Sequence, residues 1–270
     1  MPGMRYSKAL YAVVFMVVTA GWLQPVHADP NAFDPHKDLL SLHYDHAPDR
    51  DDGQSVAADF TILSCQYGNE WLADHVLPVS GTCGVNAAQF NPASDRVMDT
   101  VWNGCGGWVA AHEDWFAAVD TVFAVWRATL LDSGDIWVKE GGQSDLTAQI
   151  TMLIRHYEPD IDTRARIHVV QHSDWNENTT EPSALAYTIE YTDYIRILDA
   201  NSYLNELGGD RVFEQAAVSH PTFGAAWKAA FEYYPPGERL DFSDTGELMH
   251  ILGLGQVGID AFRRLFLISP

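Results

Sequence analysis

Cysteine is scarce in this chain. The 270 residues contain only Cys65, Cys83 and Cys105, and no two of them stand at CxxC spacing. That excludes a zinc ribbon, a thioredoxin-type redox pair and a disulfide-dense scaffold. Positive charge is also scarce. Lys and Arg total 16 against 37 Asp and Glu, a formal charge of −21. So acidic a surface repels phosphate backbones and anionic lipid, which excludes nucleic acid as a partner. No internal repeat or low-complexity tract occurs. HExxH, Gly-x-Ser-x-Gly and the P-loop are missing too, which removes the zincin, hydrolase-elbow and P-loop nucleotide readings.

The one long apolar run lies at the start. Arg5 and Lys8 precede an apolar stretch from Ala9 to Leu23, and Val26-His27-Ala28 is a small-x-small cleavage pattern. Residues 1–28 therefore read as a secretory signal, with an uncleaved membrane anchor as the rival. The expected destination is periplasmic or secreted, with no stable membrane insertion after cleavage. Losing the two basic residues takes the formal charge from −21 to about −23. Residues 29–270 suffice for one large α/β domain with a substantial core. They leave homo-oligomerisation open. An exported chain meets oxidising conditions, so a disulfide between Cys83 and Cys105, both in Gly-containing loop sequence, is expected. Cys65 ends an apolar run and is expected to be buried and inert.

Short β-like runs alternate with helical patterns. Strands are expected at Leu39–Tyr44, Phe60–Cys65, Asp135–Lys139, Arg166–Gln171 and Tyr194–Leu198. Helices are expected over Val109–Leu131, Asp145–His156 and Thr222–Tyr234. The first of these has an inward stripe of Phe116, Val119, Phe123, Trp126 and Leu130. Pro235-Pro236-Gly237 ends the last. Residues 66–108 read as a long loop region with about one helix. The alternation predicts an open, mostly parallel sheet with helices on both faces, Rossmann-like in architecture.

Polar clusters recur just after the strand candidates. The densest is Asp45-His46-Ala47-Pro48-Asp49-Arg50-Asp51-Asp52. The others are Glu140-Gly141-Gly142-Gln143-Ser144-Asp145, His172-Ser173-Asp174-Trp175-Asn176-Glu177 and Asp199-Ala200-Asn201, with Asp241-Phe242-Ser243-Asp244 near the end. In a parallel sheet these ends share one edge, so the clusters converge there. Each also has a purely structural reading. Asp145 and Asp244 could be helix caps, Gly141-Gly142 a tight turn, and Asn176 a turn residue. His43 and His46 read as structural, and Trp175 as a packed wall. An EF-hand fails, because aligning Gly53 as the invariant loop glycine puts Pro48 and Arg50 at ligand positions. Hard, oxygen-rich ligation favours calcium or magnesium over zinc.

The Asp-rich first loop resembles that of the calcium-dependent nucleoside hydrolases, whose pattern is DxDPGxDD; Asp45, Pro48, Asp51 and Asp52 match. It is more similar to bacterial nucleoside hydrolase-like proteins, a group that includes cellulose-binding domains, with a loop like DxxxDxDDxQS. There Asp45, Asp49, Asp51, Asp52, Gln54 and Ser55 match. Trp137-Val138-Lys139-Glu140-Gly141-Gly142-Gln143-Ser144-Asp145 resembles the mid-chain strand-turn-helix of that family, and Asp244-Thr245-Gly246-Glu247-Leu248 its late metal-site Asp. The likeness spans roughly residues 38–255.

The resemblance implies a nucleoside hydrolase-like fold and a calcium-dependent hydrolase of N- or O-glycosidic bonds. A sugar or nucleoside would be the small-molecule partner. It implies Asp52, Asp244, Asp45 and the Ser144 carbonyl as Ca2+ ligands, Asp45 as the group acting on water, and Asp51 and Asn176 on sugar hydroxyls. Asp45 and Asp51 are the catalytic candidates, and other carboxylates nearby would stabilise positive charge developing on the sugar. Asp49 borders the same substrate region, and His172, Asp174 and Glu177 are candidates for leaving-group protonation. Ala47 departs from the family, standing where members carry a metal-bound catalytic Asp. The alternative is a non-catalytic, calcium-dependent carbohydrate-binding protein on the same fold.

Overall fold

A computed structural model describes residues 32–268 of the protein. The expected signal over residues 1–28 lies outside the described residues. Six strands form one all-parallel sheet: β1 (Leu39–Tyr44), β2 (Val76–Ser80), β3 (Val109–Ala110), β4 (Ile136–Gly141), β5 (Ile167–Gln171) and β6 (Asp193–Arg196). Their order is β3-β2-β1-β4-β5-β6. Parallel neighbours need crossovers, and helices supply them. The result is an open Rossmann-like α/β fold. Two short strands, β7 (Asn205–Leu207) and β8 (Arg239–Asp241), pair antiparallel beside it. Among the described residues no helix is long and apolar enough to cross a membrane.

Strand side chains alternate between two cores. Leu40, Leu42, Tyr44, Trp137 and Val170 face one cluster, with helices Asp52–Gln66, Asp95–Trp102, Arg211–Ser219, Gly224–Tyr233 and Thr245–Ile251. Leu39, Ile136, Val138, Ile167 and Val169 face the other, under helices Trp115–Leu131 and Asp145–Tyr157. Burial on both faces explains why these strands read as continuous apolar runs. The chain leaves β1 toward β2 and β3, then returns to β4 on the opposite side of β1. The crevice at that reversal opens beyond the carboxyl ends of β1 and β4, where α/β sheets bind ligands.

Several expectations need correction. Phe60–Cys65 is not a strand; it ends helix Asp52–Gln66, whose residues from Asp52 to Leu63 are all buried. Buried all round, that helix lacks the polar stripe that marks a surface helix. Cys65 is exposed at its end. Residues 66–108 hold helix Asn69–His75, strand β2 and helix Asp95–Trp102. The helix expected from Val109 starts at Trp115, with Asp114 capping Ala117 N–H at 3.0 Å, while Val109–Ala110 joins the sheet. Its buried stripe is Ala118, Val119, Val122, Trp126 and Leu130; Phe116 points outward at 75% exposure. Cys83 and Cys105 are free. Cys83 is buried just after β2, its thiol directed at the Gly81 carbonyl (3.5 Å), whereas Cys105 packs into the first core.

Trp227 anchors that core. Fully buried, it packs against Phe213, Phe242 and Phe262, and its indole N–H donates to Thr61 Oγ1 at 3.1 Å. Trp227→Ala is expected to lower unfolding stability by about 3–5 kcal/mol. A urea-derived unfolding free energy that falls by less than about 1 kcal/mol would contradict it.

Candidate functional site

Beyond the carboxyl edge lies a small polar cavity of about 170 Å³. Its wall includes Asp45, Ala47, Pro48, Asp49, Asp51 and Asp52 after β1 and Gly141 at the end of β4. His172, Ser173, Trp175 and Asn176 after β5 contribute, as do Asn201 beyond β6 and the Arg239–Asp244 segment. Four polar clusters far apart in sequence thus meet with the Arg239–Asp244 segment. The structure brings together Asp45, Asp49, Asp51, Asp52, His172, Asn176 and Asp244. It does not bring Asp174, Glu177 or Ser144 to the wall. Asp174 turns to Arg196, and Glu177 accepts from Tyr194 Oη at 2.9 Å. The Ser144 carbonyl accepts from Ala148 N–H at 2.9 Å, the first bond of its helix. Asn201, Asp241 and Ser243, which the sequence grouped in polar clusters without a role, complete the wall, and among the described residues Arg239 is the one lining residue that no cluster contained.

Short-range backbone contacts shape the acidic loop. His46 N–H donates to Asp52 Oδ2 at 2.6 Å, and Ala47 N–H to Asp45 Oδ1 at 3.0 Å. Gln143 Nε2 donates to the other Asp45 oxygen at 2.9 Å. Gln54 ties the loop to the late segment: its amide donates to the Tyr234 and Arg239 carbonyls, and its oxygen accepts from Asp241 N–H at 2.9 Å. Ser55 Oγ reaches Asp244 Oδ2 at 3.5 Å. Gly141 lets β4 approach closely, because a Cβ there would lie 2.6 Å from Lys139 Nζ and 3.2 Å from Asp244 Cβ.

One carboxylate oxygen each from Asp51, Asp52 and Asp244 lie within 4.8 Å of one another. The Asp52 carboxyl also touches that of Asp45. Asp244 occupies the N-cap position of helix Thr245–Ile251, yet its side chain makes no capping bond. Instead His172 Nε2 lies 3.0 Å from Asp244 Oδ1. A plain cap would turn toward the helix, so this carboxylate is oriented for the cavity.

Beneath the wall sits Lys139, fully buried, 4.0 Å from the Tyr44 ring centroid and 3.5 Å from Asp59 Oδ2. Burial works against its charge, but Asp59, Asp244, Glu247 and Asp52 outweigh that and raise its pKa. Burial also opposes charge on His172, yet Asp199, Asp244 and Glu247 lift it to about 10. For Asp244, burial is overcome by His172 and Lys139, which hold it well below the usual carboxylate range.

The other acids go the opposite way. Burial, with repulsion from Asp244, lifts Asp45 to about 7 and Asp241 to about 6. Burial lifts Glu247 to about 8 despite His172 and Lys139. Burial and then the neighbouring carboxylates raise Asp51 and Asp52 as well. Lys139 and His172 therefore leave much of this negative charge uncompensated.

A hard divalent cation suits that deficit. The donors are all oxygens, and Asp52 Oδ1 is buried without a hydrogen-bond partner among the described residues. Asp51, Asp52 and Asp244 would hold the ion, with Asp45 alongside.

On the opposite face of the sheet, Ser41 Oγ lies 3.1 Å from His43 Nε2, and His43 Nδ1 lies 2.9 Å from Glu140 Oε1. These are the spacings of a hydrolytic triad. All three residues are fully buried, and Ser41 Oγ accepts from Trp126 Nε1 at 3.1 Å. The trio is a structural relay, as His43 suggested in sequence. His46 is buried too, among Tyr44, Phe90 and Tyr233.

Comparison of the chain with protein-family models, with curated proteins and with solved structures finds no match. The chemistry of the cavity must be read from its own side chains.

The raised acids set a pH dependence. Their folded pKa values exceed the unfolded ones, so ionising them above about 8 penalises the fold, and the penalty is relieved as pH falls through 8, 7 and 6. Chelator-treated protein should melt higher at pH 6 than at pH 8. Calcium should raise the melting temperature most at pH 8 and progressively less toward pH 5, as protons compete for the same oxygens. Differential scanning fluorimetry in both states checks this; a calcium shift that grows on acidification would refute it.

Proposed function

We propose that this cavity binds Ca2+ and a sugar-bearing small molecule, such as a nucleoside, and hydrolyses its N- or O-glycosidic bond outside the cytoplasm. The observation that carries the reading is the meeting of Asp45, Asp51, Asp52 and Asp244 in one polar cavity at the reversal of strand order. The loop resemblance to nucleoside hydrolase-like proteins supports it.

When bound, the calcium would acidify a water and gather vicinal hydroxyls. Asp45, with a pKa near neutrality, is matched to taking the water proton. The water oxygen bonds to the anomeric carbon as the glycosidic bond breaks. The leaving group departs with the bonding pair and takes its proton from solvent, while Asp45 releases the proton it took from the water back to solvent. Ionised Asp244 and its neighbours stabilise positive charge developing on the sugar. Asn176 offers its amide to a hydroxyl, and Trp175, 40% exposed, offers a ring face to the leaving group. His172 is committed to Asp244 and Asp199 and orients Asp244 rather than donating a proton. Asp174 and Glu177, away from the wall, have no part in this scheme.

Ala47 favours the second reading, a calcium-dependent carbohydrate-binding protein. It lines the cavity where the resemblance places a catalytic carboxylate.

A panel of nucleosides and nitrophenyl glycosides separates the two. Hydrolysis predicts calcium-dependent release of free base or nitrophenol. Asp45→Asn should then lower kcat about 10²–10⁴-fold, and Asp52→Asn should abolish both calcium binding and turnover. Calcium-dependent sugar binding without bond cleavage would establish the binding protein instead. Undiminished calcium affinity in Asp52→Asn would overturn the metal assignment.

A further inference from the structure

A second cluster lies away from the acidic cavity. Asp95 opens helix Asp95–Trp102, while His112 and Glu113 occupy the turn after β3. One donor atom from each lies within 4.8 Å of the others. None of the three lines the acidic cavity.

The imidazole is held in place. His112 is 11% exposed and stacks on Phe90 at a centroid distance of 3.8 Å and an interplanar angle of 16°. Gly81, at φ +84°, packs against it so closely that a Cβ there would lie 2.7 Å from His112 Cβ. A simple ion pair does not account for the arrangement. His112 Nε2 stands 3.4 Å from Asp95 Oδ1 without hydrogen-bond alignment. Asp95 Oδ1 and His112 Nδ1 are both buried without a partner among the described residues. Nδ1 lies across the ring from the Nε2 that faces Asp95, so the orphan at the cluster is Asp95 Oδ1. Buried polar atoms are ordinarily satisfied, so a buried carboxylate oxygen with only an unaligned imidazole and a third donor beside it points to an absent ligand.

We propose that Asp95, His112 and Glu113 form a second metal site that takes a borderline transition-metal dication of the zinc class. One imidazole and two carboxylates are a mixed nitrogen and oxygen set, which suits zinc better than calcium. Three protein ligands leave a fourth position for water, the pattern of an open rather than a closed structural site. The site is independent of the glycosidic-bond reading and stands or falls separately from it.

Zinc chloride titrated into the chelator-stripped full chain by calorimetry, with calcium saturating, tests the proposal. Trp108, 6.3 Å from the His112 ring, gives a parallel fluorescence signal. The expected result is one saturable zinc equivalent, weakened about tenfold or more by Glu113→Gln, weakened further by His112→Gln and unchanged by Asp52→Asn. Glu113 is exposed, so its variant keeps the test valid if His112→Gln misfolds. No saturable zinc binding, an isotherm indifferent to Glu113→Gln, or loss of zinc in Asp52→Asn would each overturn it.

Discussion

The ammonium of Lys139 is the charge around which the acidic wall is built. It sits with no solvent contact among Tyr44, Asp59, Asp52, Asp244 and Glu247. A buried cation without carboxylates nearby would shed its proton, and the carboxylates without the cation would keep theirs. Each side therefore keeps the other charged, and Asp244 is ionised largely because Lys139 and His172 are protonated. One ammonium and one imidazolium fall short of the acids around them. That shortfall, and not acidity as such, is what suits the wall to the cation proposed for it.

The architecture delivers these groups with little freedom. Parallel strands put the loops after β1, β4 and β5 on one edge, and the reversal of strand order opens a crevice between two of them. Asp241 ends a strand of the separate small sheet and Asp244 stands at the start of the helix that follows, and Gln54 fastens this segment to the first loop. The Gln54-Ser55 pair that follows Asp51-Asp52-Gly53 is thus the clamp that holds Asp244, 189 positions beyond Ser55, beside the first loop.

Legibility from sequence followed the strength of local signals. Strands β1, β4, β5 and β6 were readable because short runs rich in apolar side chains have few other homes. β2 was not, since Pro78 argues against a strand; yet β3 pairs only with Val79 and Ser80, so Pro78 lies past the end of that ladder. The Phe60–Leu63 run, rich in aromatic and branched residues, looked like a strand because a helix buried on every side shows no amphipathic period. In the site, the dense loop of aspartates announced itself. Gln143, Asn201 and Asp241 lay in the polar clusters after the strands without an assigned role, and Arg239, alone before its cluster, gains meaning only from three-dimensional neighbours. Lys139 carried a usable signal: a lysine inside an apolar run demands a buried counter-charge. The two cysteines shared a loop-like composition, which carries no information about separation in space.

The pairing of β1 with β4 sets His43 opposite Glu140 and Tyr44 one step beyond. Alternation then sends the imidazole–carboxylate couple to one side of the sheet and the phenol and ammonium to the other. Sliding either strand by a single position would strand Lys139 among aliphatic side chains and leave Glu140 facing the acids. Apolar residues alone would tolerate such a slip at modest cost, since both sides are greasy. Here the polar quartet works as a ratchet: the same atoms that tune the cavity also forbid every neighbouring alignment of its two central strands.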